Sequence, residues 1–158
     1  MKITLIQIGK TVNPCLKDLI DIYNLRIKNY ISFQPIEILD IKKNKSLKDI
    51  DYLKNKEGQE VIKKLTNADY VVLLDEKGKE FTSREFAGYL QKRMNAGTKN
   101  LVFVIGGAYG FSEELYHKAN DKIALSKMTF SHQLIRLIFA EQLYRAMTII
   151  NNHPYHND

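Results

Sequence analysis

The chain has 158 residues, 44% hydrophobic and 27% charged, with eight glycines and three prolines, which excludes a disordered or fibrous protein and suffices for a single domain over residues 1–158. Its formal charge of +6 favours a polyanionic partner. The lone cysteine, Cys15, excludes an intrachain disulfide and a thiolate zinc cluster, and no apolar run is long enough to span a bilayer.

Ile3 to Ile8 alternates as a strand does. It follows Met1 so closely that no signal peptide fits, which makes the cytoplasm the expected compartment. Asn13-Pro14 places an N-cap before a proline at the first helical position. That helix is expected to run to about Asn29, with Leu16, Leu19, Ile20, Tyr23 and Ile27 on one face. Pro35 to Ile41 reads as a second strand, residues 42–46 as a basic loop, and Leu47 to Leu65 as a charged helix. Tyr70-Val-Val-Leu-Leu74 is continuously apolar, the mark of a strand covered on both faces, and Glu76-Lys-Gly-Lys79 turns the chain. Thr82-Ser-Arg-Glu85 forms a capping box that opens a helix to about Asn95. Leu101 to Ile105 is another buried strand, Ser112 opens a short helix, and Ile123 to Leu125 is a short strand. The final helix opens with His132, behind Ser131 as N-cap. Strands and helices alternate throughout, which predicts an α/β fold with a mostly parallel sheet flanked by helices.

Open α/β sheets bind ligands beyond the carboxyl ends of their strands. Three such ends stand out: Leu74-Asp75, Ile105-Gly106-Gly107-Ala-Tyr-Gly110, and Leu125-Ser126-Lys127. The glycines lack the spacing of a dinucleotide fingerprint and no P-loop is present, which argues against a classical NAD or ATP site. Gly106 and Gly107 either permit a tight strand exit or expose backbone to a flat ligand. At about 100° per residue, His132 and Arg136 share one side of the last helix, and Glu141 and Arg145 the opposite side. Apolar residues fill the directions between, which predicts burial against the sheet and against a second subunit in a homodimer. Glu141 and Arg145, spaced i, i+4, either pair with each other or serve function. His132 suits a neutral base, or it caps the helix. His153, Tyr155 and His156 form a tail without the carboxylates of a metal site, and Tyr155 is suited to stack on a nucleic-acid base.

The runs Leu125-Ser-Lys-Met-Thr-Phe-Ser-His132, Val104-Ile-Gly-Gly107, Glu141-Gln-Leu-Tyr-Arg-Ala146 and Asn152-His-Pro-Tyr-His156, with Lys56-Glu-Gly58 and Met1-Lys-Ile, resemble the RlmH family across the whole chain. These are SPOUT-class methyltransferases that modify N3 of a pseudouridine in large-subunit (23S) ribosomal RNA of assembled ribosomes. The resemblance implies a C-terminal trefoil knot, a homodimer whose tail and last helix complete the partner's site, and S-adenosylmethionine as cofactor. It places the cofactor on Leu74, Gly106, Leu125, Ser126, Lys127, Met128, Thr129 and Phe130. Arg136, Glu141, Arg145 and either His132 or the Tyr155-His156 tail would handle the base. Two positions depart from the family pattern: Ser131 stands where relatives commonly have proline, and Asn157 where they usually carry a basic residue. The alternatives are a SPOUT enzyme acting on another RNA such as tRNA, and a non-catalytic RNA-binding domain.

Overall fold

In the computed structural model, which describes residues 1–39, 41, 50–66 and 69–157, the chain runs β1 (Lys2–Ile8), α1 (Pro14–Lys28), β2 (Ser32–Ile38), α2 (Ile50–Ile62), β3 (Asp69–Glu80), α3 (Ser83–Asn95), β4 (Asn100–Ile105), α4 (Glu113–Lys118), β5 (Asp121–Ala124) and α5 (Leu134–Ile150). All the strands pair in parallel, in the order β2-β1-β4-β3-β5. The period of two divides each central strand between two cores. Ile3, Leu5, Leu101, Phe103, Ile105 and Val72 pack with α1, α3 and α5 through Ile27, Leu90, Phe139 and Leu143. Ile6, Ile8, Val102, Val104, Val71 and Leu73 pack on the other face with Val61 of α2 and Leu115 of α4. The β1–β2 and β3–β4 crossovers move one way along the sheet on the first face, and the other two move back on the second. A single crossover hand requires that division.

Local chemistry explains where the helices start. Asn13 Oδ1 accepts from Leu16 N at 3.2 Å with Pro14 next to it, Thr82 and Glu85 complete a reciprocal capping box, and Ser112 caps α4. Some boundaries differ from the sequence reading. β2 begins at Ser32, because parallel pairing with β1 recruits Ser32, Phe33 and Gln34 ahead of Pro35, and it ends at Ile38. The expected turn at Glu76–Lys79 is a bulge inside β3: Leu74 and Lys79 both register with Ile123 of β5. Gly78 makes that bulge possible, since a Cβ there would sit 2.5 Å from the Ile123 backbone nitrogen. β5 stops at Ala124, one residue short of the expected Leu125. On α1, Ile20 and Ile27 are buried but Leu19 is 45% exposed. The basic loop at residues 42–46 lies outside the described residues.

A polar knot of side chains closes the amino-terminal edge of the sheet. Tyr70 and Tyr89 donate to the same Asp121 oxygen at 2.7 and 2.9 Å, and the Arg93 guanidinium lies 4.4 Å from the Tyr70 ring centre. Burial, then the bond to Asp121, raises both phenols above their ordinary 10.0. Unfolded, these tyrosines ionise near 10.0, whereas folded they keep their protons to higher pH. Their contribution to stability is therefore complete below pH 10 and is lost as pH rises beyond it. Tyr89→Phe should cost about 1 kcal/mol at neutral pH, yet lose stability less steeply above pH 10 in urea titrations. An unchanged alkaline slope would refute the assignment.

Candidate active site

The bulge of β3, the carboxyl end of β4 and the segment after β5 enclose a cavity of about 680 Å³. Its walls are residues 74–77, 105–111, 125–126 and 128–132, with Lys54, Glu113, Tyr116 and Ile135 at the margins. Of the expected cofactor residues, Leu74, Gly106, Leu125, Ser126, Met128, Thr129 and Phe130 line it. Lys127 lies on the outer side of the same loop, with Nζ 3.7 Å from Glu80. Both glycines at the exit of β4 are closely packed. A Cβ at Gly107 would meet Glu57 Oε2 at 2.6 Å, and one at Gly106 would meet the Phe111 ring at 3.0 Å. That packing bears out the tight strand exit, and both glycines also line the cavity.

Polar groups in the walls are fixed by one another. Asp75 accepts from the Tyr116 hydroxyl and from Lys77 N at 2.8 Å. Burial, then this bond, pushes the Tyr116 phenol well above its ordinary range. Ser126 Oγ accepts from Met128 N at 2.9 Å and shapes the turn into the last wall. Tyr116 is not singled out by the sequence, and Asp75 only as part of an expected strand end. The available signal was the position of Asp75 at a strand end.

His132 lines the cavity and is exposed. α5 begins at Leu134 rather than His132, but Ser131 supplies the bonds of a cap: its Oγ accepts from Leu134 N at 3.2 Å and its carbonyl from Ile135 N at 3.0 Å. Arg136, on the same side of the helix, is fully buried and turned elsewhere. It donates to the Ile8 carbonyl at 2.6 Å and to Thr11 Oγ1 at 2.9 Å, and burial lowers its pKa. It ties α5 to the end of β1 and does not line the cavity.

The remaining expected residues gather on the opposite side of α5, against α1. Arg145 Nε donates to Glu141 Oε1 at 3.0 Å, Arg145 lies 3.3 Å from His156 Nδ1, and the guanidinium sits 4.8 Å from the Tyr155 ring centre. Tyr155 donates to Glu141 at 3.2 Å and meets the Tyr23 hydroxyl at 3.4 Å. Burial, then those partners, holds the Tyr155 phenol above its ordinary range. The bond to Glu141 raises Arg145. Glu141 and Arg145 thus pair, as their spacing allows, and also anchor the tail. Tyr23, Arg26 and Tyr30, which the sequence reading did not assign to a site, complete this cluster. Arg26 lies 5.6 Å from the Tyr23 and Tyr144 ring centres, and Tyr30 bonds His153 Nδ1 at 2.7 Å. None of these groups lines the cavity of their own chain. Among the described residues, no three His, Cys, Asp or Glu side chains converge as a metal site would.

The chain is 56% identical over 157 residues to a protein of Christiangramia forsetii, with 99% of each covered. It is 56% identical over 158 residues to one of Parabacteroides distasonis and 46% to one of Porphyromonas gingivalis, with 100% of each chain covered. All three relatives are named ribosomal RNA large subunit methyltransferase H. A family profile described as "Predicted SPOUT methyltransferase" matches residues 1–156. With a parallel α/β sheet, a cavity at its strand ends and similarity along the full length, the chain belongs to the SPOUT methyltransferase family.

Proposed function

We propose that this protein uses S-adenosylmethionine to methylate N3 of a pseudouridine in large-subunit ribosomal RNA, acting on assembled ribosomes in the cytoplasm as a homodimer. The similarity over the full chain to proteins named for large-subunit ribosomal RNA carries the reading. No helix among the described residues is long and apolar enough to cross a membrane. The cavity suits the cofactor: about 680 Å³ is within the usual range for ligand sites, and the Gly106 backbone lies open to it. Leu74, Gly106, Leu125, Ser126, Met128, Thr129 and Phe130 would hold it, with Lys127 at the rim. Asp75 and Glu76 offer carboxylates to ribose hydroxyls and to a sulfonium charge. The trefoil knot implied by the resemblance belongs to this proposal, supported by the family match along residues 1–156.

When bound, S-adenosylmethionine supplies an activated methyl carbon. The N3 proton must leave for that nitrogen to attack. His132, on the cavity wall, takes it. Tyr155 is held neutral and donates a hydrogen bond to Glu141, so it serves the base by contact rather than as a proton acceptor. Arg136 is committed to β1, which leaves Arg145, oriented by Glu141, to stabilise charge on the carbonyls beside N3. Arg145, Tyr155 and His156 do not line their own cavity and would approach that of a second subunit. Leu19, Ile22 and Leu25 of α1, exposed to 45, 45 and 66%, supply apolar surface for such an interface. Ribosomes lacking the modification, incubated with protein and labelled cofactor, should gain one methyl group on a pseudouridine of the large subunit. Label on transfer RNA, or none, would overturn the reading.

A further inference from the structure

Resting on that function, we infer that the sheet edge beside the cavity, built on Lys77, Lys79 and Lys122, is where the phosphodiester backbone of the substrate RNA docks. The three lysines line one hollow of about 240 Å³ next to the cavity, and Lys77 and Tyr116 belong to both. The bulge of β3 creates this hollow by pressing Gly78 onto the backbone of Lys122 and Ile123, so two lysine-bearing segments lie side by side. Several nearby acids have other partners, and Glu85, held below its ordinary range by its bonds to Thr82 and then by the charge of Lys79, caps its own helix. Asp75 accepts from Tyr116, Asp121 from Tyr70 and Tyr89, and Glu80 lies 3.7 Å from Lys127. Among the described residues, none of the three lysines makes an ion pair. Two of the ammonium groups are instead displayed over aromatic faces: Lys79 Nζ lies 5.0 Å from the Phe81 ring centre, and Lys122 Nζ 5.4 Å from that of Tyr116. Three lysines without a close ion pair, on one ledge beside the reaction cavity, suit a chain of phosphates better than one small anion. Each phosphate so neutralised releases counterions and makes binding depend on salt.

Lys79 and Lys122 do not line the cavity, so the pair can be changed without altering the cofactor site. The double variant K79Q/K122Q should bind cofactor as the wild type does and reach the same kcat on saturating ribosomes. Its KM for ribosomes should rise, and the log–log salt slope for a protein-free rRNA fragment should fall by roughly one per lysine. The control K64Q/K92Q/K99Q removes exposed charge from segments that lead into the amino-terminal ends of β3 and β4, away from the cavity, and should leave that slope nearly unchanged. An unchanged slope in the double variant, or an equal fall in the control, overturns the inference. So does an effect seen with ribosomes but not with naked RNA, which would point to a ribosomal protein. Self-association with unchanged RNA affinity would instead assign the lysines to guarding an edge strand. A wild type that methylates no ribosomes sinks the function itself, whereas a methylating wild type matched by its variant sinks only the docking surface.

Discussion

His132→Ala is expected to reduce turnover on ribosomes by about 10²–10⁴-fold, the usual contribution of a general base, while cofactor affinity measured by calorimetry stays near that of the wild type. The side chain is exposed on the cavity wall, and the Ser131 cap holds its backbone at the start of α5. Removing the imidazole therefore deletes a proton acceptor without opening the core. His132→Gln sharpens the test, because glutamine keeps hydrogen-bonding capacity but cannot take the proton. A glutamine variant as slow as the alanine variant supports a base. One that restores turnover would reduce His132 to a positioning residue, and full activity in the alanine variant would remove it from the chemistry.

Ending the chain after His153 should abolish methylation while leaving the fold and cofactor binding intact. Tyr155 and His156 are only half-buried, and the cluster they leave still contains the Glu141–Arg145 pair and the Tyr23, Tyr30 and Tyr144 rings. What disappears is the aromatic group under Arg145 and the hydrogen bonds that orient Glu141. The proposed sharing of sites between subunits makes a stronger prediction. Mixing the truncated chain with the His132→Ala chain should restore activity to roughly a quarter of wild type, since random exchange makes half the dimers mixed and each of these has one intact site. If the mixture stays inactive while each chain still dimerises, the tail serves its own cavity and the two-subunit site is wrong.

The sequence carried the α/β class plainly, because the apolar runs at residues 70–74 and 101–105 are long enough for strands and too short for helices. The caps at Asn13, Thr82 and Ser112 were equally legible, since capping is decided within four residues. Less local features were not. The bulge at 75–78 depends on Gly78 meeting a backbone some 45 positions later. The fate of Arg136 depends on the carbonyl of Ile8, at the other end of the chain. A helical wheel puts Arg136 beside His132, but it cannot show that the buried end of β1 claims one and the cavity the other. Likewise, the spacing of Tyr23, Arg26 and Tyr30 suggests an ordinary amphipathic helix until the tail folds back onto them.

The bond from Arg136 to the Ile8 carbonyl also bears on how the chain folds. α5 shares with α1 and α3 the core face that carries Phe103 and Ile105, and the bond joins residues 128 positions apart in sequence. Closing so long a loop costs conformational entropy before any contact is made, which slows folding. The first strand therefore keeps an unmet carbonyl, and its face of the sheet an uncovered stretch, until α5 docks, so the last helix of the fold is the one that completes the first strand.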